Sequence, residues 1–307
     1  MAKGSLMSQD RLWGVHPAVI AAFAVFFGTV IDSLVRHVNG FIDLTTLIFW
    51  RFAIGAVLVG IPYFLSGRRL PGWKATRFHA VRGITHLLAA SLFFFALTKL
   101  ELATVTVLGF TAVLWIIPIA WIALGERPKP IAVLAGLLGF CGVLLTFVGA
   151  ESFDGFTTDD WLGFASVMSA AMFYAISIVL LRLRASEDGA FAIAFYANLF
   201  PAIYMAGPAF ILTEGVVWGD ALWLVLLGIC GTLVWLFMTL AYGRAPAQQL
   251  APTEYTALIW SALIGWLVFN EVPKGLFWLG AIVIIAACLL VSIPLGELRR
   301  YLFLRKR

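Results

Sequence analysis

Apolar residues come in long runs separated by short polar breaks, and the length of those runs decides the class of fold. A helix needs about 20 predominantly apolar residues to cross the hydrocarbon core of a bilayer. On that ruler the pattern predicts ten spans, at residues 14–34, 44–64, 80–98, 102–124, 130–149, 161–182, 190–212, 219–242, 247–269 and 275–294. The breaks are hairpin-short, so neighbouring spans run antiparallel. The polar stretch 150–160 is the predicted connection between two halves, 14–149 and 161–294, flanked by residues 1–13 and a basic tail, 295–307. Met1–Leu6, ahead of a second Met at 7, carries no fold argument.

The two halves repeat one another. Thr111–Pro128, TAVLWIIPIAWIALGERP, returns as Thr256–Pro273, TALIWSALIGWLVFNEVP, with Trp115 on Trp260, Trp121 on Trp266, Glu126 on Glu271 and Pro128 on Pro273. The offset is 256 − 111 = 145 positions, and it also carries Gly83, Ile84, Leu88 and Ala96 onto Gly228, Ile229, Leu233 and Ala241. The chain is a duplicated unit. Five spans per unit is an odd number, so corresponding helices cross in opposite directions. Inverted repeats of this kind are used by many secondary transporters for alternating access around a midplane site.

Composition agrees: 62% of residues are hydrophobic and 12% charged, with a mean hydropathy of +0.99, far from the soluble norm of about a quarter charged. The net charge of +5 does not read as a nucleic-acid surface, because the basic residues sit between apolar runs. With the N-terminus inside, 17 of the 21 Lys and Arg fall in inside segments, while the outer loop ESFDGFTTDD is acidic. The positive-inside rule therefore predicts both termini in the cytoplasm, in a bacterial inner membrane. Cys141, Cys230 and Cys288 lie inside apolar runs without CxxC or Cys/His spacing, as small buried hydrophobes. The first run lacks an A-x-A-like cleavage site and is read as a retained span.

The segments TVIDSLVRH, FWRFAIGAVLV and LFFFALTKLELATVTVLGFTAVLWIIPIAWIALGERP, the last echoed by LAPTEYTALIWSALIGWLVFNEVP, resemble the EamA-type, ten-helix members of the drug/metabolite transporter superfamily. The resemblance covers about residues 14–294, and the LGE-plus-Pro end of the fourth span is its specific part. It implies two inverted five-helix repeats around a central cavity that moves a small polar or amphipathic metabolite. Ala112-Val113 stands where the family often has Pro, which implies a less kinked fourth span.

Glu254 is the first candidate for chemistry, since a carboxylate this far into a span is costly unless it faces a cavity or a partner. It would carry a proton or hold a substrate ammonium; a cap at the helix start following Pro252 and Thr253 is the structural alternative. His86 could relay a proton or simply be a satisfied structural group. Asp32 and Arg51 sit at similar depth and are candidates for a structural ion pair, or Arg51 holds a substrate carboxylate; neutral Asn198 stands near the equivalent place in the second half. Thr111/Trp115 and Thr256/Trp260 mark matching helix faces that inversion would turn toward one axis, with Trp as a flat cavity wall or as core. Tyr255 joins these cavity candidates. Thr232, Trp235 and Thr239 form one stripe and Ser166, Ser169 and Ser177 another, lining a cavity or packing helices. Trp121 and Trp266 read as an aromatic belt, and Glu126 and Glu271 as turn residues.

There is no GxxxxGK, nucleophile elbow, HExxH or Cys/His cluster, so neither catalysis nor a bound metal or cofactor is expected. The expected function is a secondary transporter of a small organic metabolite, an amino acid or relative, by alternating access and in the export direction, with proton coupling or exchange. The alternative is uptake of a larger nucleoside-derived, vitamin-like or cationic solute; a non-transporting membrane protein or membrane enzyme is the remote one. The expected partners are a small-molecule substrate and the lipid bilayer, with monomer and homodimer both open.

Overall fold

The computed structural model describes residues 15–38, 40–67, 69–100, 102–148, 157–212, 218–269 and 275–292. Among these it is helical throughout, with twelve α-helical segments that make the ten passes read from the sequence. α1 (Pro17–Val38), α2 (Leu44–Leu65) and α3 (Trp73–Lys99) are single passes, and the fourth is broken into α4 (Leu102–Gly109) and α5 (Thr111–Leu124). α6 (Pro130–Val148), α7 (Thr158–Arg184), α8 (Ala190–Leu212) and α9 (Ala221–Tyr242) follow. The ninth pass is α10 (Ala247–Leu250), a 3-10 stretch Ala251–Thr256 and α11 (Ala257–Phe269); α12 (Gly275–Ser292) is the tenth. The near end of the bundle is where α1 begins, and the far end is where it finishes.

Local chemistry sets the boundaries. Asp43 caps α2 by accepting from the Thr46 N–H at 2.9 Å, and Thr157 with Asp160 forms a capping box at the start of α7, each satisfying orphan amides of a first turn. α5 stops at Gly125, whose φ of 67° only glycine adopts readily; this is the Gly of the LGE turn. Ile122, Leu65 and Ile211 are each 80% exposed or more, which makes sense only for a surface facing lipid.

Helix packing obeys the 145-residue shift. The shift converts α1 into α7 and α3 into α9, and the structure pairs α1 with α9 and α3 with α7. It also exchanges α2 with α8 and α6 with α12, and each of these pairs packs on itself across the axis. Even single contacts repeat. A Cβ at Gly83 of α3 would lie 2.6 Å from the Phe200 Cβ of α8, while one at Gly228 of α9 would lie 3.4 Å from the backbone of Gly55 on α2 and 2.6 Å from Ile54. Gly228 is 83 + 145 and Phe200 is 55 + 145, so one close crossing is built twice with its partners exchanged.

Both broken passes belong to the same repeat position, and they break at equivalent residues. The fourth turns at Phe110 between α4 and α5, and the ninth is 3-10 through Tyr255, which is 110 + 145. The two rings meet edge to face at 5.5 Å, a preferred aromatic geometry. Ala112-Val113 therefore does not leave the fourth span regular, because the interruption comes just before it and Pro118 lies within α5.

Candidate functional site

Around this contact lies a cavity of about 210 Å³ lined by α1, α3, α4, α5, α7, α9 and the ninth pass, with Arg51 reaching in from α2. Its walls are mostly apolar or small, including Gly28, Ala90, Phe93, Ala170 and Met238, with a few polar groups between them. Several wall positions are repeat mates: Thr29 and Tyr174, Ala90 and Trp235, Phe93 and Met238, Gly109 and Glu254. The cavity is thus built on the pseudo-axis, and its chemistry lies where the mates differ.

Glu254 is on the 3-10 stretch, not on a regular helix. A 3-10 turn makes poorer backbone hydrogen bonds than an α-turn, and non-helical backbone at membrane depth is tolerated where it borders a cavity. The Tyr174 hydroxyl donates to Glu254 Oε1 at 2.9 Å, and both residues line the cavity. A half-buried carboxylate thus has one neutral donor and no cation within 4.0 Å among the described residues, an arrangement compatible with taking up and releasing a proton.

Asp32 and Arg51 line the same cavity but do not form the direct ion pair their common depth suggested: the described residues contain no contact between them within 4.0 Å. Arg51 stacks instead on aromatic rings, its guanidinium carbon 4.4 Å from the Phe52 centroid and 5.7 Å from that of Phe94. It is buried, and its Nε and Nη1 have no hydrogen-bond partner, which leaves Nη2 as the group presented to the cavity. Stripping an ion of water costs several kcal/mol unless a partner replaces the water. A guanidinium in this state suits the carboxylate of a visiting solute.

His86 lines the cavity with its Nδ1 3.1 Å from the Ala197 carbonyl oxygen. A carbonyl only accepts, so Nδ1 carries the hydrogen and Nε2 is the nitrogen not committed to backbone. The His86 ring stands edge-on to Phe52 at 5.0 Å and to Trp235 at 4.2 Å. Trp235 is 2% exposed and lines the cavity.

Other sequence candidates lie elsewhere. Trp115 is 42% exposed on the outer surface of the bundle and is not a cavity wall, because the turn at Phe110 changes the helical phase that would have aimed it inward. Trp260 packs edge-on against Phe26 at 5.2 Å, outside the lining. Thr111 and Thr256 donate to backbone oxygens of their own turns, Leu108 at 2.6 Å and Thr253 at 2.7 Å. Tyr255 donates to the Gly136 carbonyl at 2.9 Å and closes the core beneath the cavity. Asn198 donates to Ala194 at 2.8 Å and sits against Gly55 at the α2–α8 crossing. Of the two stripes only Trp235 reaches the cavity; α7 presents Ala170, Ala171 and Tyr174 there, not its serines.

Glu126 has a structural partner. Arg182 of α7 donates from Nε to Glu126 Oε1 at 3.3 Å and from Nη1 to the Tyr242 carbonyl at 2.9 Å, tying three passes together at the near end. Glu271 and the Cys288 side chain lie outside the described residues. Trp121 and Trp266 are both 54% exposed, as belt residues would be.

The signal for Tyr174, Phe93, Phe94 and Met238 was weak in the sequence, since nothing distinguishes a wall aromatic from a core one. The one pointer was the repeat itself, which makes Tyr174 the 145-residue mate of Thr29 and Met238 that of Phe93.

Comparison with known proteins gives the class: membrane transporters, not enzymes. The chain belongs to the EamA-like transporter family, whose model matches residues 12–148 and 161–293, within the drug/metabolite type of carrier. It is 28% identical over 308 residues to an uncharacterized transporter of Helicobacter pylori, covering 96% of each chain. It is 27% identical to the pseudopaline exporter CntI of Pseudomonas aeruginosa, covering 91% of this chain and 95% of that one. It is 26% identical to a riboflavin transporter of Brucella anthropi, covering 78% and 85%. A solved crystal structure matches with a TM-score of 0.73 over 89% of this chain and 94% of that one at 20% identity, a likeness of fold alone.

Proposed function

We propose that this protein is a secondary transporter that exports a small amino-acid-like solute by alternating access, with Glu254 carrying the exchanged proton. The observation that carries the reading is the charge layout of the cavity. An Arg51 guanidinium whose Nε and Nη1 have no hydrogen-bond partner and an Asp32 carboxylate not in direct contact with it border one apolar space with Glu254 and Tyr174. Arg51 would take a carboxylate, and Asp32 an ammonium. Apolar wall residues such as Phe93 and Trp235 would take the side chain between them. The cavity, about 210 Å³, is below the roughly 300–1,000 Å³ of drug-sized sites, which favours an amino-acid-sized solute over a flavin-sized one. The distribution of basic residues supports an orientation with the near end facing the cytoplasm of a bacterial inner membrane.

Reconstituted protein in liposomes with an internal pH-sensitive dye tests this with three matched probes: L-phenylalanine, phenethylamine without the carboxylate, and 3-phenylpropionate without the ammonium. L-Phenylalanine is expected to move best, and Arg51→Gln to weaken its transport by about tenfold or more. Flux of all three that ignores both Glu254→Gln and an imposed pH gradient would remove the proton from the scheme.

A second reading, uptake of a larger vitamin-like solute, draws on Trp235 as a stacking wall and on the similarity to the riboflavin transporter of Brucella anthropi. Stabilisation of the folded protein in a thermal-shift screen by riboflavin but by none of the amino-acid probes would favour it.

A further inference from the structure

Arg82 lies on α3 one turn from His86 toward the near end. It is 1% exposed and outside the cavity lining. Its Nε and Nη1 have no partner, and Nη2 reaches the Ile193 carbonyl at only 3.4 Å. Its guanidinium carbon lies 5.0 Å from the Trp235 ring. Trp235 abuts His86, His86 abuts Phe52, and Phe52 lies under Arg51. The result is a continuous column, Arg51–Phe52–His86–Trp235–Arg82, with a guanidinium at each end.

Neither guanidinium has a carboxylate within 4.0 Å among the described residues. Asp188, which meets α3 at His79 about one turn from Arg82, is already committed: it holds His79 at 2.9 Å and Arg184 at 2.7 Å. A cation–π contact, even when desolvated, returns less than stripping an ion of its water costs. A protein gains nothing in stability from holding two such cations on one column. Both are explained if each is a berth for the same anionic group at a different stage of transport.

We propose that Arg82 is a second carboxylate site, occupied when the near end opens, so that a solute's carboxylate passes between Arg51 and Arg82 along the edge of His86 and Trp235. In the present conformation Trp235 separates Arg82 from the cavity; a rotation of α9 against α3 would expose the guanidinium. This rests on the reading that the solute bears a carboxylate, and the test separates the two.

The test uses the full-length protein in proteoliposomes of one orientation, with radiolabelled L-phenylalanine supplied from either side. Arg82→Gln is expected to raise the apparent KM from the near side by about tenfold or more and to leave the far-side KM within about threefold. Arg82→Lys should recover part of the loss, since it restores the charge but not the planar fork; it also carries the comparison should Arg82→Gln not fold. An equal change on both sides, as a purely structural arginine would give, or no near-side change, overturns the second site. Wild-type protein that moves neither L-phenylalanine nor 3-phenylpropionate overturns the carboxylate reading itself, whereas transport that depends on Arg51 and not on Arg82 overturns only the second site.

Discussion

The Tyr174 hydroxyl donates to Glu254 at 2.9 Å across the cavity wall, joining α7 to the 3-10 segment of the ninth pass. A hydrogen bond to a charged group contributes about 1.5–3 kcal/mol, and here it commits Oε1 of Glu254 to Tyr174. Tyr174→Phe removes the donor with little change of shape. It should therefore slow proton-linked transport in the same direction as Glu254→Gln, by about tenfold or more. Initial rates with and without a pH gradient check this; wild-type rates in the Phe variant would show that the pair does not orient the carboxylate.

The doubled glycine crossing makes a stability prediction. Gly83→Ala puts a methyl against Phe200, and Gly228→Ala puts one against Ile54; overpacking of this kind costs about 1–3 kcal/mol. Both variants should unfold at lower temperature in detergent, and by similar amounts. Gly28 also lines the cavity, but a Cβ there meets nothing within 4 Å. Gly28→Ala should keep the wild-type melting temperature and change the KM for solute, which separates packing glycines from a cavity glycine in one experiment.

At the near end, Asp188 binds both His79 and Arg184 with a side chain 6% exposed, while Glu187 pairs with the same Arg184 from a side chain 61% exposed. Removing Asp188 leaves the Arg184 charge and the buried His79 ring without their shared acceptor, whereas an exposed ion pair contributes little. Asp188→Asn should destabilise by about 1.5–3 kcal/mol and Glu187→Gln by less than about 0.5 kcal/mol. Equal melting temperatures for the two variants would contradict this ordering.

The tryptophans divide in the same way. Trp235→Ala empties a cavity wall and removes the ring that stands between His86 and Arg82, so solute affinity and stability should both fall, the latter by about 3–5 kcal/mol. Trp115, on the outer surface, should tolerate Phe with unchanged transport. Transport lost in Trp115→Phe and kept in Trp235→Ala would reverse the assignment.

These cases show what the sequence could and could not convey. Run length and the 145-residue echo carried the ten passes, their antiparallel order and the inversion, because bilayer thickness and an odd span count leave no other arrangement. Glu254, His86, Arg51 and Trp235 were legible because a polar or large aromatic residue in a span needs a reason to be there. Trp115 and Trp260 were misplaced because a helix apolar on every side has no periodicity to orient it, and because Phe110 and Tyr255 break the phase unannounced. The Asp32–Arg51 relation differs for another reason: depth along the membrane was right and the two charges still act on each other, but lateral distance is set by packing, and the guanidinium lies over Phe52 and near Phe94 instead of in direct contact with Asp32.

The cavity's ionic groups are unevenly shared. Asp32, Arg51 and His86 come from the first repeat, as does Arg82, while Tyr174, Trp235 and Glu254 come from the second. An ancestor assembled from two identical halves would have set two guanidiniums facing each other, or none. Duplication within one gene released the copies from that symmetry, and in the proposed scheme one half grips the cargo while the other handles the proton. Two separately expressed halves should therefore complement each other, and neither should work as a pair with itself.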